Sequence, residues 1–555
     1  MAMSPARRSC LPLLLLAGSV LAGAQGPGQP RFFSDDPLSR EPETQDASGA
    51  KFMDVELAPD LLLNLFTRPG DTAAHVRAGN VNTIDEVPDS GWFTNRIYAR
   101  PVSADEIARG PNSSPPPALG PWTIVSAKTS GVSPGFTARD SRGVRWFVQF
   151  DTAGHPRAAT SAVPVAMRLF WALGYNQVET HLVRLRPDDL QIDEKTTIET
   201  RASHRRPMRR GDVDDVLARA SREADGSYRA TAGLAVPGRV IGPFKYYGTR
   251  ADDPNDIVPH EHRRELRALK VFGAWTNLVD MKAGNTLDTV VDDGGRSLVR
   301  HYLQDVGSTF GAGALGPREW DEGYEYLYEG APMWKRLVSA GFFIRPWQTI
   351  PYQELPEIGR FEGDLFDPTV WRPRVPMAAL LRADAADTFW AALRVAAFSD
   401  DLIRAAVRQG EYEDPAAERL LGDVLIRRRD AIARAYLRPI SSLARFALDG
   451  SGRLTFADAA VASGLATAAT AYEGQWFRYE NLTDAVRPLG SSRGSAGLEA
   501  PSALPAAEGA MVKITIAATG VAGATPAVDV YFRRHGDAWR LVGVERMALG
   551  PGNSL

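Results

Sequence analysis

The chain has 555 residues, 44% hydrophobic and 24% charged, which is enough for several domains and ordinary for a globular protein. A formal net charge of -3 excludes the large basic excess used for nucleic-acid binding, and Arg205-Arg206-Pro207-Met208-Arg209-Arg210 is a local patch only. One cysteine, Cys10, excludes both a disulfide framework and a paired-cysteine zinc site.

Residues 1–24 have the layout of a cleaved signal peptide. Arg7 and Arg8 form a basic n-region, residues 11–21 an apolar run, and Ala22-Gly23-Ala24 a small-residue cleavage site. The run is too short for a transmembrane anchor, and cleavage would remove Cys10, so a secreted or periplasmic bacterial protein is expected. Residues 25–50, polar with Pro and Gly, predict a flexible lead-in. An N-terminal extension at 51–120 holds a helical piece near 61–66, a loop at 80–92 and a Pro-rich linker at 113–117. Its Trp92, Phe93 and Tyr98 are expected to pack against the N-terminal lobe.

In the region 121–250, residues 122–128 and 144–150 read as strands, joined through a polar loop at 129–135 and a return at 136–140. That loop contains Gly131 and Gly135, and Lys128 stands beside it. A helix is predicted over 159–173 and a strand over 180–185, with 188–227 a charged insertion. Residues 240–248 are expected near a hinge, with apolar side chains able to face a purine ring.

The region 251–440 opens on a predicted amphipathic helix at 259–279, with Leu266, Leu269, Phe272 and Thr276 at helical spacing. Asp280-Met281-Lys282-Ala283-Gly284-Asn285 follows. Strands are predicted at 286–291 and 298–303 around the turn Asp292-Asp293-Gly294-Gly295, and Asp305-Val306-Gly307 ends the second. Residues 376–436 are strongly helical in pattern. From 441 to 555 short β-rich runs between Gly, Ala, Ser and Pro predict a small β-sandwich or barrel. Its Trp476, Tyr479, Tyr531 and Trp539 offer either a ligand face or inward-facing strand residues, and this domain is a candidate contact for an envelope partner.

Phosphoryl transfer needs an acid to orient the attacking hydroxyl, a cation to offset charge on the γ-phosphoryl, and oxygen ligands for Mg²⁺. Asp280, Lys282, and the pair Asn285 and Asp305 supply those parts in that order. Helix, DxKxxN loop, hairpin and DxG together resemble the protein kinases, most closely the atypical HipA-like and spore-coat-type families. The resemblance spans roughly residues 121–437. It implies an α+β, two-lobed protein-kinase-like fold with a C-terminal β-rich domain, ATP or another nucleotide with Mg²⁺ or Mn²⁺, and an unidentified hydroxyl acceptor. It also implies a phosphate-covering loop with Gly131 and Gly135, and a lysine on the third strand.

The chain departs from that pattern at Gln149, which is neutral, and at Val163 and Pro164, where a lysine-pairing glutamate is expected. Three readings stand side by side. Lys128 delivers the charge instead, or Gln149 binds nucleotide in a slow enzyme, or the protein is a pseudokinase that only binds.

Other chemistries find little in the sequence. There is no HExxH and no P-loop. His260 and His262 are two apart and would point to different helix faces. GxSxG occurs at 131–135 and 490–494, without the strand-before, helix-after context of a nucleophile elbow.

Overall fold

The computed structural model describes residues 29–546 apart from 74, 129–131, 200–203, 314, 340–341, 354, 465–466, 468 and 520–525. The predicted signal peptide and Gly131 lie outside the described residues. The fold is mixed α/β. A six-stranded sheet runs in the order Thr180–Leu185, Tyr228–Leu234, Arg145–Phe150, Gly135–Arg139, Trp122–Ala127, Leu190–Ile192. Its neighbours are antiparallel except the last pair, which is parallel. The insertion at 188–227 therefore contributes the edge strand Leu190–Ile192, along with the helix Arg210–Ala218.

Alternation fixes the faces of this sheet. Along Arg145–Phe150, Trp146, Val148 and Phe150 are buried in a core shared with Ile124, Phe136 and Ala230. Arg145, Phe147 and Gln149 consequently point to the opposite face. The helix Ala158–Leu173 begins where Asp151 clamps its first turn. Asp151 Oδ1 accepts from the Ala159 and Thr160 N–H groups at 2.9 Å each, and Oδ2 accepts from Arg157 N at 2.8 Å. A buried carboxylate satisfying orphan N–H groups is a strong cap.

A three-stranded sheet, Ser297–Leu303, Thr286–Asp292 and Arg239–Gly242, joins a helical core built largely from Leu269–Thr276, Ala385–Ala396, Asp400–Arg408 and Pro415–Tyr436. The chain passes from the six-stranded sheet to this one at 235–238, so the crossing lies just before the segment expected to form the hinge. Residues 443–546 form two antiparallel sheets of three and five strands around their own core. Trp476, Tyr479, Tyr531 and Trp539 are all buried there, so they are packing residues and no ligand face. Gly490–Gly494 lies within the strand Ala485–Gly494 instead of a loop.

Two expectations are corrected and a third holds in part. Residues 29–50 are not a flexible lead-in. Phe32 is buried against Tyr479 and Tyr531, Ala47 and Ala50 pack on Ile241, Val290 and Val299, and Glu41 pairs with Arg263 at 3.1 Å. Of the aromatics expected against the N-terminal lobe, Phe93 does meet Tyr175 there and also touches Trp390, whereas Trp92 stacks on His301 with ring centroids 3.4 Å apart and Tyr98 lies under Arg394 and Arg445. The helix at 259–279 is divided into a 3₁₀ turn His260–His262 and the helices Arg264–Arg267 and Leu269–Thr276, and it is buried all round.

The break follows from charge. Arg263, Arg264, Glu265 and Arg267 are buried, and each needs a partner. Arg264 pairs with Asp85 at 2.8 Å and Asp387 at 3.0 Å, Arg267 with Asp387 at 3.0 Å, and Arg263 with Glu41 and Glu265. Burial works to lower the Arg263 and Arg264 pKa values, but the surrounding carboxylates outweigh it and hold both above the usual range. Removing one partner leaves uncompensated buried charge, which typically costs about 3–5 kcal/mol. Asp387→Ala is thus expected to destabilise the fold by that order in urea unfolding, through loss of the shared partner of Arg264 and Arg267. A change within about 0.5 kcal/mol, the scale of ordinary surface substitutions, would show that the network does not hold the core.

Candidate functional site

A cleft of about 470 Å³ lies between the open face of the six-stranded sheet, the helix Ala158–Leu173 and the three-stranded sheet. That volume is in the usual range of small-molecule sites. The strands present Phe147, Gln149, Thr180, Thr231 and Gly233, in agreement with the register that pairs Gln149 with Thr231 and Phe147 with Gly233. The helix presents Val163 and Met167, one turn apart. Ala235, Val236, Gly238 and Val240 close the crossing side, and Leu287, Gln304, Asp305 and Val306 form the floor. Val240 is thus placed as expected of the hinge segment, whereas Phe244 and Tyr246 are core residues.

The floor is built by two loops stitched together. The Asn285 carbonyl accepts from both the Gln304 N–H at 3.0 Å and the Asp305 N–H at 3.1 Å. The Asn285 side-chain amide donates to the Asp280 carbonyl at 2.6 Å, which turns its Oδ1 the other way. Asp305 Oδ1 accepts from Gly307 N at 3.0 Å. A Cβ at Gly307 would come within 2.9 Å of Val163 Cγ2, so this glycine lets the loop pass against the cleft helix. The structure therefore brings Asp280, Asn285 and Asp305 to one place from two sequence motifs.

Asp280 is half-buried with Lys282 Nζ at 2.9 Å from Oδ2. Arg318 Nη2 stands 4.0 Å from the same oxygen and also bonds Ser308 Oγ. Sequence reasoning missed Arg318. It belongs to no motif and reaches Asp280 only because the segment after Asp305-Val306-Gly307 folds back. Glu322, 3.3 Å from Arg318, has its pKa raised chiefly by burial, with the Asp280 charge adding to the rise and the Arg318 and Arg374 charges opposing it.

Lys128 is held by its own loop, with Nζ donating to the Ser133 carbonyl at 3.2 Å and to Ser133 Oγ at 3.1 Å. Its pKa is lowered, chiefly by burial, against which the Asp305 carboxylate pulls upward. Lys128 is not among the residues that line the cleft. Gly135 differs from its expected role. It is a buried strand residue where a Cβ would strike the Val148 carbonyl, so its smallness serves strand pairing and no phosphate cradle. Gln149 does line the cleft, facing it alongside Val163, so no lysine–glutamate pair spans the sheet and the helix at these positions.

Among the described residues no group of three or more His, Cys, Asp or Glu side chains could hold a metal ion. Asn285 and Asp305 offer one amide and one carboxylate oxygen donor. That suits a hard divalent cation which completes its shell with water and phosphate oxygens. His260 and His262 point apart, onto Asp256 at 2.8 Å and Asp71 at 3.0 Å.

No protein-family model matches the chain, and no curated protein does. Solved structures include two matches. One is the crystal structure of the Golgi casein kinase, at 11% identity and a TM-score of 0.27, covering 72% of this chain and 96% of that one. The other is the Golgi casein kinase with Mn/ADP bound, at 10% identity and 0.28, covering 71% and 95%. Likeness at that level is too slight to assign a role, and the residues of the cleft themselves carry the functional reading.

The proximity of Lys128 and Asp305 has a measurable consequence. Because the Asp305 charge raises the Lys128 pKa against burial, Asp305→Asn should lower it further. Amine labelling of Lys128 followed against pH should then shift its midpoint downward. An unchanged midpoint would mean that the two groups do not face each other across the cleft.

Proposed function

We propose that this chain is a kinase-like phosphotransferase with two lobes, the six-stranded sheet above and the helical core below, and a separate β-rich domain after residue 441. The observation that carries the reading is the double hydrogen bond from the Asn285 carbonyl to Gln304 and Asp305. It sets the DxKxxN loop edge to edge with the DxG loop, whose Asp305 and Val306 line the floor of a cleft of nucleotide size. In this reading the base lies among Val236, Val240 and Leu287, and the phosphates extend toward Asp305.

Asp280 orients the acceptor hydroxyl and takes its proton as the new oxygen–phosphorus bond forms. The bond to the leaving nucleoside diphosphate breaks in the same displacement. Lys282, already on Asp280, and Arg318 behind it offset charge on the transferred phosphoryl. Asn285 Oδ1 and the Asp305 carboxylate would hold Mg²⁺ or Mn²⁺, which when bound neutralises phosphate charge. Lys128 supplies the cation that Gln149 does not. The layout of residues 1–24 adds an exported protein to the proposal, with the acceptor outside the cytoplasm.

A second reading is favoured by two observations. Gln149 is neutral where it faces the cleft, and Lys128 is tied to Ser133. Under it the cleft binds a nucleotide without turnover.

Nucleotide should raise the melting temperature more with Mg²⁺ than with EDTA, since a ligand that binds only the folded state stabilises it by mass action. Asp305→Ala should abolish that difference and leave the ligand-free melting temperature nearly unchanged. Equal shifts with and without metal would remove the metal assignment. In nucleotide-consumption assays Lys128→Ala should reduce kcat/KM by at least about tenfold, of order 1.4 kcal/mol in the transition state. Gln149→Ala should cost less, and Asp280→Ala should abolish most turnover. Binding of a nucleotide by the wild type without turnover under any metal would decide for the non-catalytic reading.

A further inference from the structure

The helix Gly330–Val338 carries its apolar residues outward. Met333, Trp334, Leu337 and Val338 share one face, and that face is exposed, with Trp334 at 66% and Leu337 at 70%. Phe342 at 87% and Ile344 continue the apolar surface beyond the helix. Phe66 and Tyr328, both largely exposed, meet with ring centroids 5.1 Å apart and extend the patch onto the helix Leu57–Phe66, where Leu62 and Leu63 are also exposed. Single exposed apolar side chains need no explanation, but this many on neighbouring stretches of chain, joined at one point by the Phe66–Tyr328 contact, mark a candidate interaction site.

Charge identifies the occupant. Residues 330–353 contain Lys335, Arg336 and Arg345 and no Asp or Glu. The two acids just before them are occupied, Glu325 by Arg345 and Glu329 by Arg372. Exposed Lys335, its Nζ 5.7 Å from the Phe343 ring, and exposed Arg68 after the other helix make this edge of the patch cationic, while exposed Asp54 and Glu56 lie at the opposite end of the helix Leu57–Phe66. An isologous contact between two copies would set this basic rim against itself. A lipid surface suits it on both counts: aromatic and aliphatic side chains enter the acyl boundary while basic groups meet anionic headgroups.

The patch also adjoins the candidate site. Gly284 packs on Leu57, where a Cβ would come within 2.9 Å of Leu57 Cδ2. At the other end, Leu327 N bonds the Arg374 carbonyl at 2.7 Å, and Arg374 N bonds the Val279 carbonyl at 2.9 Å, one residue before Asp280. No helix among the described residues is long and apolar enough to cross a membrane. We propose that this face docks the protein on an anionic lipid bilayer, holding the Asp280 loop at the membrane surface. Docking does not depend on the phosphotransfer reading.

The test is co-sedimentation of the chain from Gln25, which keeps every described contact, with vesicles of phosphatidylcholine alone or mixed with phosphatidylglycerol. Binding should require phosphatidylglycerol and weaken with salt. Trp334→Ala combined with Leu337→Ser and Phe342→Ser should reduce the partition coefficient by about tenfold or more, with melting temperature and nucleotide binding unchanged. Lys335→Glu should weaken binding to the mixed vesicles while leaving the apolar face intact. The proposal is overturned by absence of binding to mixed vesicles, by equal binding of the triple variant, or by light scattering that shows a dimer which the triple variant dissolves. The last result would assign the patch to a second copy.

Discussion

Four consecutive-in-space charges, Arg263, Arg264, Glu265 and Arg267, sit inside the protein, and the surrounding architecture follows from the need to satisfy them. Their partners come from distant parts of the chain. Glu41, Asn80 and Asp85 arrive from the N-terminal segment, and Asp387 from the helix Ala385–Ala396. A buried guanidinium tolerates few arrangements, because its planar donors must meet acceptors in fixed directions. The N-terminal extension is therefore part of the core and cannot drift as a linker. The strongest restraint lies directly upstream of the loop that carries Asp280.

From that anchor the rigidity passes to the site through aromatic and ionic contacts. Arg263 lies over the Trp92 ring at 4.8 Å, and Trp92 stacks on His301. His301 pairs with Asp288 at 2.7 Å, and Asp288 also meets Arg250 at 3.3 Å. Asp288 and His301 face each other across the hairpin whose far end delivers Asp305. The hairpin register cannot slip without breaking a buried ion pair, so Asp305 is positioned by packing remote from the cleft. This is the usual requirement of a site whose geometry must hold while its ligands come and go.

The cleft itself is assembled more loosely in charge than in shape. Its walls are apolar or carry neutral polar groups such as Gln149, Gln177 and Gln304, apart from the guanidinium of Arg145 on the sheet, and Asp305 puts a carboxylate on the floor. Lys128 and Asp305 face a mutual compromise. Burial discourages the ammonium and the carboxylate supports it.

Local order is written in the chain: strand, loop, strand, helix, then the acid loop, the hairpin and the DxG. Period-two alternation and turn residues encode strands directly, and the observed hairpin Thr286–Asp292 with Ser297–Leu303 falls where those signals placed it. The motif residues Asp280, Asn285 and Asp305 were legible for the same reason, since each lies within a few residues of a strand end. The rest depends on contacts between residues far apart in the chain. Gly135 became a strand-pairing residue because of the Val148 carbonyl facing it, and Arg318 reached Asp280 by a fold-back that no periodicity records. The segment at 29–50 looked like a linker because its composition is polar. Its order comes from Glu41, Ala47 and Ala50 meeting groups some two hundred residues away, and composition carries no information about partners at that distance.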